Sequence, residues 1–268
     1  MAGSELTNVK SPRVKAARRL TKRAFREQDR KFLAEGPQAV REALRLDGVT
    51  VELFATAEAE SRHPEIVAEA VAQDIPVHRA SGEVMAELSQ TVTPQGLLAV
   101  CRLVHVPLEE ALTGQPRLVA MLAHVRDPGN AGTVMRAADA AGADSVVFTD
   151  ASVDPYNGKC VRASAGSLFH LPVAIGAPVS DAVRRLKERG LRVLAADGAG
   201  KHTLDDVDLS GPTAWIFGNE AWGLPEEILA EAEDVVRVPI YGQAESLNLA
   251  TAAAVCLYAS ARAQRAAT

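Results

Sequence analysis

From Leu118 onward the chain alternates short apolar runs with amphipathic stretches, and this limits the folds open to it more than any other feature. Strands are expected at LVAMLAHV (from Leu118), SVVFTD (from Ser145), LRVLAAD (from Leu191), AWIFG (from Ala214) and VVRVP (from Val235). Helices fall between them: after Gly132, from Val179 to Arg189, after Pro225, and from Leu247 towards Arg262. Apolar strands joined by helices make a largely parallel sheet with helices on both faces. Open sheets of this class bind ligands beyond the carboxyl ends of their strands. Function is therefore to be sought in the segments that directly follow the strands.

A smaller α/β pattern precedes this series. Gly36-Pro37 opens a helix that carries Ala39, Val40, Ala43 and Leu44 at helical spacing. After it come a strand VELFATA (from Val51), a helix PEIVAEAVAQ, a short strand PVHRA (from Pro76), a helix GEVMAELS and a buried strand GLLAVCRLV (from Gly96). Two prolines and a glycine in residues 104–117 mark a linker. The expected organisation is a basic N-terminal arm over 1–30, a small α/β domain over 31–103, the linker over 104–117 and the larger α/β domain over 118–268.

Net charge is −5, which by itself speaks against a nucleic-acid partner. Its distribution reverses the inference. Ten Lys and Arg lie between Lys10 and Lys31, opposed only by Glu27 and Asp29, so this stretch carries +8 and the remainder −13. A basic segment on an acidic body suits contact with a phosphate backbone, although a solvated helix face has the same composition. No apolar run approaches membrane-spanning length, and the N-terminus has no apolar signal core. Cys101, Cys160 and Cys256 form no close pair, and the six histidines show no metal-ligand spacing. The expectation is a cytoplasmic chain with reduced thiols, no membrane and no metal.

Three post-strand segments carry the candidate chemistry. In HVRDPGNAGTVMR a Pro-Gly turn leads into a helix, with Asn130 at its mouth and Arg136 more than one turn in. In WIFGNEAWGLP a strand runs into Gly218, where backbone amides can approach a ligand, followed by Asn219 and Glu220. In VRVPIYGQAESLNLA a loop after Pro239 ends at Ser246, Leu247 and Asn248, where an Ala-rich helix begins. Each segment alone also fits a capped turn, an exposed salt bridge or a helix cap.

In this order and spacing, N-x-G-x-x-x-R, G-N-E-x-x-G-L and V-P-x-x-G-x-x-x-S-L-N resemble the three motifs of SpoU-type RNA 2′-O-ribose methyltransferases of the SPOUT superfamily. DPYNGKCVRASAGSLFHLPV (from Asp154) is similar to the family segment between the first two motifs. FLAEGPQAVREAL and TVTPQGLLAV resemble the start and end of the ribosomal-protein-like substrate-binding module that precedes many of these domains. The resemblance spans roughly residues 12 to 262. It implies a small RNA-binding domain, a catalytic α/β domain with a deep trefoil knot, a homodimer, and S-adenosylmethionine as methyl donor.

Carried over by motif, Gly218, Val238, Leu247, Asn219 and Ile240 would hold the cofactor. Arg136, Asn130, Glu220, Ser246 and Asn248 would form the active site. Asn219 stands where the family usually has a small residue, and Trp222 is bulky for its loop. Arg18, Arg19, Lys22, Arg23 and Arg162 are the candidate RNA contacts, with Arg162 equally suited to a structural ion pair. The implied substrate is RNA, because only RNA carries a 2′-hydroxyl, with ribosomal RNA of the 23S type favoured and transfer RNA possible. The family proposal makes Arg136 the proton acceptor. A guanidinium stays protonated, so a grip on the adjacent phosphate suits it better.

Other classes fit less well. A dinucleotide-dependent oxidoreductase would need a GxGxxG after its first strand. DGAGKHTL (from Asp197) lacks the first glycine and the Ser or Thr of a phosphate loop. A catalytically silent RNA-binding protein would not require Arg136, Glu220, Ser246 and Asn248.

Overall fold

The computed structural model describes residues 5–219 and 221–267. In chain order its elements are α1 (Pro12–Arg19), α2 (Arg23–Asp29), β1 (Lys31–Glu35), α3 (Pro37–Leu44), β2 (Thr50–Ala55), α4 (Ala57–Arg62), α5 (Pro64–Ala72), β3 (Val77–Arg79), α6 (Gly82–Leu88), β4 (Leu97–Arg102), α7 (Leu108–Ala111), β5 (Leu118–Leu122), α8 (Pro128–Ala141), β6 (Ser145–Thr149), α9 (Gly158–Ser164), β7 (Val173–Ala177), α10 (Val179–Glu188), β8 (Arg192–Ala196), β9 (His202–Thr203), β10 (Thr213–Phe217), α11 (Glu226–Glu231), β11 (Asp234–Arg237) and α12 (Leu249–Ala266). They cluster into two compact units, one of residues 1–104 and 156–169, the other of 105–155 and 170–268. No described helix is long and apolar enough to cross a membrane.

The first unit is a four-stranded mixed sheet in the order β1-β4-β2-β3. β4 pairs antiparallel with β1 and β2, and β2 pairs parallel with β3. The basic stretch expected as an arm is instead part of this unit. Val14, Ala17 and Leu20 recur every third residue and are buried with Phe54, Val84, Met85 and Leu98. Ser11 caps α1 by accepting from the Val14 amide, and Pro12 starts it. The apolar stripe is short and lies among many charges, which hides it from a reading of composition.

Residues 156–169, assigned by sequence to the larger domain, also belong here. Phe32 packs against Tyr156 with ring centroids 4.6 Å apart and against Phe169 at 6.0 Å. The Val104 amide donates to the Tyr156 hydroxyl at 2.9 Å.

The second unit is a seven-stranded sheet in the order β7-β6-β5-β10-β8-β11-β9. Every pairing is parallel. From β5 the chain moves to one edge through β6 and β7, then crosses to β8 on the far side of β10. The switch point therefore lies at β5 and β10, which are neighbours with Leu122 opposite Phe217. The expected linker is no free tether, because Leu108, Ala111 and Leu112 enter the core with Val119, Val183, Val193 and Ile216. β7 and β9 add to the five strands expected.

α12 seals one face of this sheet. Its Ala250, Ala253, Cys256, Leu257, Ser260 and Ala261 are buried. Small residues at these positions let its backbone approach the Ala-rich α8, and the Tyr258 hydroxyl donates to the Ala140 carbonyl at 3.2 Å. Trp215 on β10 is fully buried, and its indole N–H donates to the Ser260 hydroxyl at 2.8 Å. Burial pushes the Cys101 and Cys256 thiols up to about 12, so neither is a reactive thiolate.

Ser260→Ala would strand the buried indole N–H, and the free energy of unfolding should fall by about 1–3 kcal/mol in a urea titration. An unchanged midpoint would contradict this role. In the first unit, His78 Nδ1 lies 3.0 Å from the Arg13 guanidinium and Nε2 3.0 Å from the Glu52 carboxylate. Arginine only donates, so Nδ1 accepts and the ring is neutral. Burial, aided by Arg13 and opposed by Glu52, holds the imidazole below its ordinary range. The unfolded chain then binds the extra proton, so stability is full above about pH 6.5 and declines as pH falls below it. His78→Gln should lose less stability between about pH 7.5 and 5.5 than the wild type. An equal loss would show that His78 contributes nothing to the acid sensitivity.

Candidate active site

β5 and β10 deliver two of the three candidate segments side by side. Beyond β5, the Ala123 amide donates to the Phe217 carbonyl at 2.8 Å, extending the pairing. His124 then takes a left-handed conformation, with φ of 61°. A non-glycine residue there is strained, and such strain is maintained only where surrounding contacts impose it. Two contacts are in place: the His124 amide donates to Thr149 Oγ1 at 3.4 Å, and its carbonyl accepts from Asn219 Nδ2 at 3.0 Å. Asp127 next caps α8 by accepting from the Asn130 amide at 2.8 Å, and Pro128 occupies the first turn.

After β10, Gly218 sits in a tight passage. A Cβ there would lie 2.6 Å from Leu224 Cγ and 2.7 Å from the Gly223 backbone, so only glycine fits. Asn219 and Gly223 exchange two backbone hydrogen bonds of 2.9 Å, closing a five-residue turn with Gly223 at φ 69°. The Asn219 side chain is engaged at both ends, accepting from the Ala221 amide at 2.8 Å and donating to His124. Asn219 thus staples the turn to the end of β5. Glu220 lies outside the described residues. Trp222 projects near the end of the turn and is 61% exposed.

The third segment leaves β11, which is separated from β5 by β8 and β10. Three strand spacings are about 14 Å, and residues 238–248 bridge them easily. Val238 and Pro239 are partly buried, Ile240 and Leu247 are 39% and 38% exposed, and Ser246 and Asn248 are exposed. Asn248 caps α12 by accepting from the Ala250 amide at 2.9 Å and the Thr251 amide at 3.3 Å. Its other amide end donates to Asn130 Oδ1 at 3.0 Å. One hydrogen bond therefore joins the first motif to the third, across 118 residues of sequence.

Arg136 is exposed on α8 and makes no ion pair among the described residues. Six residues past Asn130 is about 9 Å along the helix and on another face. The structure brings together Asn130, Asn248 and, through Asn219 and His124, the Gly218 turn. It draws neither Arg136 nor Ser246 into that set. Among the described residues no group of three or more His, Cys, Asp or Glu is placed to hold a metal ion.

The basic candidates of the first unit are largely paired. Arg18 meets Glu87 at 2.6 Å, Arg23 meets Glu27 at 2.7 Å, and Arg19 Nε donates to Asp29 at 2.7 Å. The Arg19 hydrogen bond holds the Asp29 carboxyl below the usual carboxylate range. Lys22 is exposed. Glu52 and Glu87 thus oppose in space a positive stretch that appears isolated in sequence. Arg162 donates to the buried Glu35 carboxylate at 3.0 Å, as do the Gln90 amide and the Thr91 hydroxyl. Together with Gln38, Thr93 and Gln95, Glu35 and Arg162 line a cavity of about 250 Å³.

Two residues of the site lay outside the sequence-based selection. Asp127 has a readable signal, an acid directly before Pro at a helix start. The strained His124 has none.

Residues 117–258 match the model of the SpoU rRNA Methylase family, and residues 11–99 that of the MRM3-like substrate binding domain. The chain is 35% identical over 254 residues to the 23S rRNA (guanosine(2553)-2′-O)-methyltransferase RlmP of Bacillus subtilis, covering 95% of this chain and 98% of that protein. Among solved structures it is similar to an AdoMet-bound rRNA methyltransferase from Sinorhizobium meliloti, with TM-score 0.85, 33% identity and 97% of each chain covered. It is also similar to the SpoU methyltransferase AviRb of Streptomyces viridochromogenes in complex with AdoMet, with TM-score 0.84, 25% identity and coverage of 96% and 99%. With its three motifs brought to one end of a parallel sheet and the family's model matching across them, the chain belongs to the SpoU rRNA methylase family.

Proposed function

We propose that this protein transfers a methyl group from S-adenosylmethionine to a ribose 2′-hydroxyl of 23S-type ribosomal RNA. The observation that carries the reading is the Asn248–Asn130 hydrogen bond, which unites the first and third motifs beside the stapled Gly218 turn. The relative named for guanosine 2′-O-methylation, similar along nearly the whole chain, supports the ribosomal substrate over transfer RNA. An RNA-binding role for the first unit accords with its match to a substrate-binding domain. Membership of the family also supports a homodimer, a trefoil-knotted catalytic domain and a place in the cytoplasm. Exposed Val255 and Tyr258 on α12 supply apolar surface suited to a second copy.

The residues present fit the methyl donor. Gly218 lets the turn close, since a Cβ there would meet Leu224 and the Gly223 backbone, and so sets the course of the main chain that follows β10. Val238, Ile240 and Leu247 supply partly exposed apolar surface and main chain from the loop opposite, with Asn219 holding the turn in shape. When bound, S-adenosylmethionine supplies a methyl already activated by its sulfonium, so the chemistry left to the protein concerns the nucleophile.

A 2′-hydroxyl attacks well only as its proton leaves. Asn130, Asn248 and Ser246 offer amide and hydroxyl groups that hold the ribose in line. Arg136, displaced about 9 Å along α8, suits the neighbouring phosphate, where its fixed charge also favours the developing alkoxide. Its guanidinium remains protonated, so a phosphate oxygen or water takes the proton. Glu220, the remaining family position, would orient Arg136. Exposed Lys22 can meet RNA phosphates, Arg18 and Arg23 can exchange their weak surface pairs for them, and Arg19 and Arg162 must first release Asp29 and Glu35.

Labelled S-adenosylmethionine should transfer label to unmodified large ribosomal RNA at an alkali-resistant linkage. Arg136→Ala should lower the rate by roughly 100-fold or more. Arg136→Lys should keep part of the activity with the pH–rate profile of the wild type. Undiminished activity in Arg136→Ala would overturn the assignment, and a profile displaced by the lysine would return the arginine to the role of base.

A further inference from the structure

The exposed indole of Trp222 is unexplained by the fold. Among the described residues, the hydrogen bonds that shape its turn come from other residues: the backbone pair of Asn219 with Gly223, the Asn219 side chain with Ala221 and His124, and the Leu224 amide with Asp197. A small residue at 222 would leave each of them in place. Trp222 instead puts a large apolar surface, 61% exposed, on a turn anchored to the ends of β5 and β10. A side chain with only two rotatable bonds, carried on a locked turn, loses little freedom when a flat partner covers it.

We propose that Trp222 is a stacking platform for an unstacked nucleobase of the RNA at the target site. The inference rests on the RNA methyltransferase reading and adds a residue that positions the substrate. Enzymes and binding modules that recognise single-stranded RNA hold splayed bases on aromatic faces, which every base can meet. The placement fits. Gly218, on the closed side of the turn, is buried against Leu224 and Gly223. Trp222 lies on the open side, towards solvent. Asn219 ties that turn to His124, on the segment leading to Asn130, and Asn130 meets Asn248, so the turn that carries the indole is linked to the groups proposed to grip the ribose.

The protein itself offers a clean optical test. It has two tryptophans. Trp215 is fully buried and hydrogen-bonded to Ser260, so solvent-dependent emission belongs to Trp222. Adding a large-ribosomal-RNA fragment that accepts methyl should quench the wild type and leave Trp222→Phe unquenched. Trp222→Ala should lower kcat/KM for RNA by about 5- to 150-fold, the equivalent of one base–aromatic stack, mainly through KM. Its affinity for S-adenosylmethionine should be unchanged, and Trp222→Phe should recover most of the loss. Because the side chain is mostly exposed, the alanine leaves no cavity.

Wild-type kinetics in Trp222→Ala would overturn the proposal. So would quenching by S-adenosylmethionine alone with weakened cofactor affinity, which makes the indole a cofactor wall. Emission that follows protein concentration would make it a contact between copies and would equally overturn it. Absence of methyl transfer by the wild type on any RNA would instead remove the underlying reading.

Discussion

Parallel pairing of β5 with β10, with Leu122 opposite Phe217, forces two chain segments 95 residues apart to emerge at the same end of one sheet. Everything proposed for the site depends on that pairing. It places the His124 carbonyl within reach of Asn219, which shapes the Gly218 turn. It sets α8 where its first turn meets the cap of α12. The third segment adds no strand between them. It arrives from β11, passes the ends of β8 and β10, and is tied to α8 by the Asn248–Asn130 hydrogen bond. The sheet contributes position, and the chemistry resides in loops, as expected where a parallel sheet changes direction.

The asparagines divide this work by what their amides can do. An amide is both donor and acceptor, so one residue can cap a helix or turn with one end and bind a distant segment with the other. Asn248 caps α12 while donating to Asn130, and Asn219 closes its own turn while donating to His124. Asn219 could not be replaced by aspartate without setting a carboxylate oxygen against the His124 carbonyl oxygen. This accounts for an Asn at 219, where the family resemblance leads one to expect a smaller residue: the side chain serves the turn's shape.

Much of the second unit was legible because its strands are apolar and its helices amphipathic, so period alone separates them. β7 was missed because it lies in VAIGA, a short run with a glycine in it, and β1 because its five residues directly precede Gly36-Pro37. The segment 104–117 has the prolines and glycine of a linker, yet Leu108, Ala111 and Leu112 dock one face into the core. The basic stretch misled for the opposite reason. Its charges are plain, whereas the buried Val14, Ala17 and Leu20 and the opposing Glu52 and Glu87 emerge only once the chain is folded. For the site, motif order located the three loops, but no spacing rule could pair Asn130 with Asn248.

The loops after β5, β10 and β11 must form one site, the last two holding the methyl donor and the first tied to them through Asn219 and Asn248. Hydrogen–deuterium exchange of the whole protein with and without S-adenosylmethionine tests it most directly. Slower exchange at amides of residues 124–130, 218–224 and 238–250 together is the predicted result. Protection that spares these three loops, or that falls instead on the loop 197–203 after β8, would contradict it.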